Sequence, residues 1–322
     1  MLNFNPGGKK VILSIDGGGM RGTIAIAMLA ELENMTGKTC AEMFDMVGGT
    51  STGAIIAAGI GIGMSANEIL ETVYRDRLPK AFPPLDLLLW LRYLLTGLRH
   101  IYPIEPFVEA LQPLAKGVKI GDLKHPIVFM TTKDVRIGDT YFIVSKGPGL
   151  KAVADWPLTG AVAASGAAPI YFPPVAGNLI DGGIGVNANP CLAVAVEAME
   201  YIGAAEGFID NQVILISLGT GYVPYLFGEN AAEHFWLKNW IEYVILKGLD
   251  DASLQQASST RAIYGSRIDF RRYNPELTAQ NLRDALGIQP TVDPTRLSLD
   301  SHSPEQVALM EEIGRTYARK IN

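Results

Sequence analysis

Cysteine is nearly absent. Cys40 and Cys191 are the two in 322 residues, too few for a disulfide framework and in keeping with a reducing compartment. Basic charge is not in excess either: 27 Lys and Arg stand against 33 Asp and Glu, and a net charge of −6 removes any electrostatic case for nucleic-acid binding. No run reaches the roughly eighteen uncharged apolar residues of a membrane span, and Met1 to Lys10 hold no apolar signal-peptide core. Histidine is scarce, four in all, and no spacing suggests zinc or calcium ligands. The expectation is a cytoplasmic protein, peripheral at membranes at most, and no cofactor is expected. What is abundant is apolar side chain, 48% of residues against 19% charged.

The most informative stretch is Val11 to Gly22. Val11, Ile12, Leu13 and Ile15 make a short apolar run suited to a strand covered on both faces. Ile24, Met28 and Leu32 then recur at helical spacing. Between them lie Asp16, Gly17, Gly18, Gly19, Met20, Arg21 and Gly22, a turn whose bare N–H groups sit at a positive helix end and favour an anion. Gly17-x-Gly19-x-x-Gly22 fits a dinucleotide turn. It equally fits an oxyanion hole serving a nucleophile elsewhere. Against the first, Glu31 and Glu33 fall inside the helix rather than at the end of a second strand. The stretch alone leaves both open.

Strands alternate with helices along the rest of the chain, which predicts a mainly parallel α/β sheet with helices on both faces, in a single domain over residues 1–322. Met43–Val47 reads as a second strand, followed by Gly49-Thr50-Ser51-Thr52-Gly53 and a helix of small residues. Ser65 and Glu68 form a capping-box pattern. Strands are expected near Pro126–Met130, Thr140–Val144 and Val213–Ser217, with an outer strand over Arg267–Tyr273. A terminal helix is expected over 303–320.

Gly49–Gly53 is a G-x-S-x-G sequence between a strand and a helix, as a nucleophile elbow requires. An activated serine needs a base. Only His302 lies late enough for a hydrolase-type triad, and nothing around it suggests a catalytic loop; His100 and His125 suit packing or surface roles. Asp181 is the better partner, because it ends a short apolar strand and precedes two glycines. Its bland reading is an ordinary Asp-Gly turn.

Taken together, Asp16–Gly22, Gly49–Gly53 and Asp181-Gly182-Gly183 resemble the three motifs of the patatin-like phospholipases, in the family's order. Ala164–Pro174 and Ser217–Gly221 are similar to that family too, so the likeness spans about residues 10–222. The resemblance implies the three-layer α/β/α patatin-like fold and lipid acyl hydrolysis by a Ser51–Asp181 dyad. The N–H groups of Gly17, Gly18 and Gly19 would form the oxyanion hole. Arg21 would shape the hole, meet a phosphate or make a structural ion pair, the last being preferred. Rival readings are a nucleotide-binding protein using Gly17–Gly22 and a storage or lipid-binding protein with an idle dyad.

Lipid esters would also account for the greasy segments. Leu85–Leu98 reads as a lid, a membrane-contact helix or core. Phe235, Trp236, Trp240, Tyr243 and Val244 read as a second wall or, preferably, core. Arg267, Arg271 and Arg272 read as alternation on an outer strand rather than as phosphate ligands. Asn187 and Asn189 read as shaping the loop beside Asp181, and Asp250-Asp251 as a helix cap.

Overall fold

A computed structural model of the chain describes residues 7–83, 99–114, 117–224, 230–236, 240, 243 and 247–320. The opening apolar run is β1 (Lys10–Ile15), followed by β2 (Met46–Thr50), β3 (Ile127–Asp134), β4 (Asp139–Val144), β5 (Leu179–Asp181), β6 (Val213–Leu218) and β7 (Asp269–Tyr273). They form a seven-stranded sheet in the order β4-β3-β2-β1-β6-β7, with β5 also joined to β3. β1, β2, β3, β6 and β7 run parallel, while β4 and β5 pair with β3 antiparallel. The sheet is therefore mixed but mainly parallel.

Strand order reverses at β1: β2 and β3 extend one way, β6 and β7 the other. In open α/β sheets such a reversal leaves a crevice beyond the carboxyl ends of the strands. The register brings three of those ends level, because Ile15 pairs with both Gly49 and Leu218. The loops after β1, β2 and β6 consequently emerge side by side.

Helices cover both faces. The principal ones are α1 (Gly22–Thr36), α2 (Thr52–Gly61), α3 (Leu158–Gly166), α4 (Cys191–Val196), α5 (Gly248–Tyr264) and α6 (Pro304–Lys320). Two-residue alternation along β1 divides its side chains between two cores. Val11, Leu13 and Ile15 pack with α1, α2, α3 and α6. Ile12 packs with Cys191, Val194 and Ala195 of α4 and with Tyr264 of α5. Small residues let α2 sit tightly on the sheet, and all ten of its residues are buried. The three-layer α/β/α arrangement is thus a consequence of apolar side chains on both faces of the parallel strands.

The second strand starts later than its sequence suggests. Cys40–Met43 is a helical turn instead, and β2 begins at Met46. The cause is local polar chemistry that apolar patterning misses. Thr39 donates its N–H to the Glu42 carboxylate at 2.7 Å. Buried Glu33 accepts the N–H groups of Cys40 at 2.8 Å and Ala66 at 2.9 Å, so one carboxylate caps two helix starts. Each such charge-assisted bond contributes roughly 1.5–3 kcal/mol.

Trp236, Trp240 and Tyr243 do not form core. Trp236 is 82% exposed, Trp240 45% and Tyr243 41%, and the Phe235 and Trp240 rings meet edge-on at 5.1 Å and those of Trp240 and Tyr243 at 6.1 Å. Val244 and residues 84–98, including the stretch expected to be a lid, a membrane-contact helix or core, lie outside the described residues. No helix among the described residues is long and apolar enough to cross a membrane, and no cluster of three or more potential metal ligands occurs among them.

Candidate active site

The loop after β2 holds Ser51 in a conformation that side chains rarely adopt, φ 56° and ψ −119°. It is the first residue of a sharp turn from strand into α2, and the turn closes only with glycine behind it. A Cβ on Gly49 would lie 2.1 Å from the carbonyl carbon of Gly53. Strain of this kind persists where surrounding contacts over-determine it. Two such contacts are visible. The Ser165 hydroxyl, at the end of α3, accepts the Ser51 N–H at 2.9 Å. Thr50 bonds the hydroxyl of Thr131 and the carbonyl of Asn187, both at 2.7 Å.

Asp181 ends β5 and is 6% exposed. Pairing with Thr132 fixes its height on the sheet. The carboxylate accepts the Gly183 N–H at 2.7 Å. Burial pushes its pKa up to about 6, and the Ser51 hydroxyl and the Gly183 N–H pull the other way without cancelling it. The fold brings Ser51 and Asp181, 130 residues apart in the chain, to one cavity. His100, His125, His234 and His302 are not among the residues lining the cavity at this site. His302 turns its Nδ1 to the carbonyl of Asp300 at 2.7 Å.

The glycine loop after β1 faces the same cavity, as do Asp16, Gly17, Gly18, Gly19 and Arg21. Its three glycine N–H groups are not equivalent. Gly17 donates to the carbonyl of Ala188 at 2.8 Å, so this N–H is already committed, contrary to the sequence-based expectation that all three serve one anion. Among the described residues, the N–H groups of Gly18 and Gly19 meet no carbonyl acceptor. Gly19 has φ +56°, and a Cβ there would lie 2.2 Å from the backbone oxygen of Leu299, the same oxygen that accepts the Met20 N–H at 2.7 Å. Gly19→Ala is accordingly expected to displace the loop and, if the resemblance to the patatin-like phospholipases extends to activity, to lower ester hydrolysis about a hundredfold or more, with the purified variant compared with wild type on one soluble ester.

Asp16 anchors this loop from below. Arg272 of β7 grips its carboxylate with two bonds, 2.7 and 2.6 Å, and also donates to the hydroxyls of Ser217 and Ser253. The arginine side chain is 13% exposed and the aspartate 6%. Burial alone lowers the pKa of Arg272, yet the charge of Asp16 and its hydrogen bonds hold it above the ordinary arginine value. Thr220, after β6, ties in the other side by donating to the Gly17 carbonyl at 2.9 Å. Alternation on β7 did place one arginine inward, but its partner is 256 positions away and no local pattern reveals it. Arg267 and Arg271 pair with acidic neighbours at the surface.

Arg21 differs from Arg272. It makes no ion pair among the described residues, and its Nε is buried without a hydrogen-bond partner. Burial lowers its pKa, opposed by the nearby charges of Asp250 and Asp16. The structural ion pair expected at the helix start is not formed, and the guanidinium sits in the cavity wall instead. Asp250 and Asp251 do fall in the first turn of α5, and the Asn189 side-chain oxygen Oδ1 accepts the Cys191 N–H at the start of α4. Glu31 is bound to Arg315 and Arg319 of α6. With Glu33 capping two helices, neither acid is free to meet a ribose hydroxyl, as a dinucleotide turn would require.

The family model of the patatin-like phospholipases matches residues 13–195, more than half of the chain. An intracellular phospholipase A2 of Caenorhabditis elegans is 28% identical over 228 residues, which cover 67% of this chain and 20% of that protein. A cGAMP-activated phospholipase of Escherichia coli is 28% identical over 260 residues, 74% of this chain and 68% of that one. VipD of Legionella pneumophila, a solved structure, aligns with a TM-score of 0.45 at 15% identity, over 97% of this chain and 66% of that one. The chain thus spans about a fifth of the nematode enzyme it matches. It belongs to the patatin-like phospholipase family.

Proposed function

We propose that this chain is a serine-dependent lipid acyl hydrolase acting on phospholipid or monoacyl lipid. The observation that carries the reading is that Ser51, on its strained turn, and the buried Asp181 carboxylate face one cavity of about 730 Å³ that the glycine loop also lines, with the serine hydroxyl near enough to oppose the upward shift of the Asp181 pKa. A free carboxylate is a weak base for an alcohol. Burial brings Asp181 to about 6, closer to the operating pH, where general-base catalysis is most effective.

In this mechanism the Ser51 oxygen attacks the ester carbonyl while its proton passes to Asp181. The carbonyl oxygen becomes an oxyanion and takes the N–H groups of Gly18 and Gly19, fixed donors of a kind that contribute about 3–4 kcal/mol to such transition states. Collapse of the tetrahedral intermediate breaks the bond to the alcohol, which leaves with the proton from Asp181. Water repeats the sequence on the acyl-enzyme, and the fatty acid departs with Ser51 and Asp181 restored. Arg21 supplies an unpaired positive charge beside the hole, suited to the phosphate of a phospholipid.

The test is release of fatty acid from phosphatidylcholine vesicles, followed by mass spectrometry, for wild type and Ser51→Ala. Release by wild type alone supports the reading. Equal release by both, or none by wild type with or without added activator, removes it.

A further inference from the structure

The cavity lining holds two unlike groups of residues. One is Ile55, Leu78, Phe82, Phe107 and Phe172, none of them more than 5% exposed. Their rings form a continuous cluster: Phe107 stacks on Phe172 at 4.9 Å, and Phe82 meets Phe172 at 5.7 Å and Tyr102 at 5.4 Å. The other group comes from α5 and the residue before it and carries Lys247, Asp250, Asp251 and Arg261. Leu254 of α5, also in the lining, is 69% exposed. Ser51, Asp181 and the glycine loop belong to the same cavity.

We infer that the two groups divide the substrate: the acyl chain lies among the aromatic group with Phe107 limiting its length, and the alcohol leaves along α5. This rests on the hydrolase reading above and adds to it the orientation of the lipid. Hydrocarbon gains most where water is already excluded. A charged headgroup carried among those residues would lose its hydration with nothing to replace it, since they offer rings and aliphatic side chains. Along α5, in contrast, cations and carboxylates remain in reach of water.

Phe107 is singled out by what stands behind it. Gly166, the last residue of α3 and one position from the serine that supports Ser51, packs against its ring. A Cβ on Gly166 would lie 2.7 Å from Cζ and 3.2 Å from Cε1 of Phe107. No backbone atom is in the way, so the ring alone must give. Trimming Phe107 and adding a methyl at Gly166 should therefore act in opposite directions. Phe107→Leu lengthens the channel, and Gly166→Ala drives the ring into it.

The experiment uses the full chain and p-nitrophenyl esters from C4 to C16. Phe107→Leu is expected to raise the ratio of kcat/KM for C16 over C8 by about tenfold, and Gly166→Ala to lower it by about as much. In a second arm, C8 to C18 fatty acids are titrated against Ser51→Ala with and without Phe107→Leu, reading thermal stabilisation. The chain length that stabilises most should move up with Phe107→Leu. If wild type cleaves no ester yet the binding optimum moves, the hydrolase reading fails and the channel stands. If length profiles in both arms are unchanged by either substitution, or if all chain lengths shift equally, the assignment of Phe107 is overturned.

Discussion

Ser51→Ala and Asp181→Asn are each expected to lower kcat/KM for ester hydrolysis by roughly ten-thousand-fold, and the double variant by no more than either alone. Residues that act as one unit are grossly non-additive, because removing the nucleophile leaves its base nothing to do. The two single variants should nevertheless differ in stability. Burial pushes the Asp181 carboxyl up to about 6 in the folded chain, from an ordinary 3.8. The sign follows from proton binding: between these values the folded state holds a proton that the unfolded state has released. The wild type is therefore relatively most stable below pH 4 and loses that contribution as pH rises through about 6. Asp181→Asn removes the buried charge and should gain on the order of 3 kcal/mol over wild type at pH 8, less any weakening of the bond from the Gly183 N–H. At pH 4 the gain should vanish. Urea denaturation at the two pH values measures it, and equal stability at pH 8 would sink the claim that burial strains this carboxylate.

The second large effect lies away from the reacting atoms. Arg272→Met should cost roughly 3–5 kcal/mol, because it leaves the Asp16 carboxylate buried with its cation removed. Lysine is a poor replacement, since its point charge cannot reproduce the two-pronged grip. Pairing Arg272→Met with Asp16→Asn should recover much of the loss, as replacing both partners removes the unpaired charge. Activity should not recover with it. Without the clasp, the loop that carries Gly18 and Gly19 loses its tie to β7, and the hole is no longer held at the reacting carbonyl. Stability from denaturant curves and kcat/KM on one ester separate these outcomes. Full recovery of both would mean that the clasp only fills space.

How much of this was legible in the sequence depended on how local the cause was. Ser51 and Asp181 could be picked out as a candidate pair because each stands in a short glycine motif at a strand end, where the backbone requirement is written into adjacent residues. The parallel sheet followed from apolar runs alternating with helical periodicity. The start of β2 was misjudged because Met43 and Phe44 look like strand, while the capping of Cys40–Met43 comes from Glu42 and Glu33. Gly17 looked equal to its two neighbours, and only the fold brings Ala188 beneath its N–H. Ser165 was visible as part of a family-like segment, but its contact with Ser51 depends on how α3 meets α2. The exposed aromatic group at Phe235–Tyr243 misled for a different reason. Apolar rings predict burial on average, and here they satisfy one another at the surface.

The most direct test of the dyad is the rate at which a fluorophosphonate probe labels the chain as pH is varied, with the labelled residue identified by mass spectrometry. Modification of Ser51 is expected, at a rate that rises with pH through a midpoint of about 6, with near-complete loss of labelling in Asp181→Asn while the fold stays intact. Labelling of Asp181→Asn at the wild-type rate, or a midpoint that disappears on His302→Asn, would contradict the dyad and return the base to a histidine.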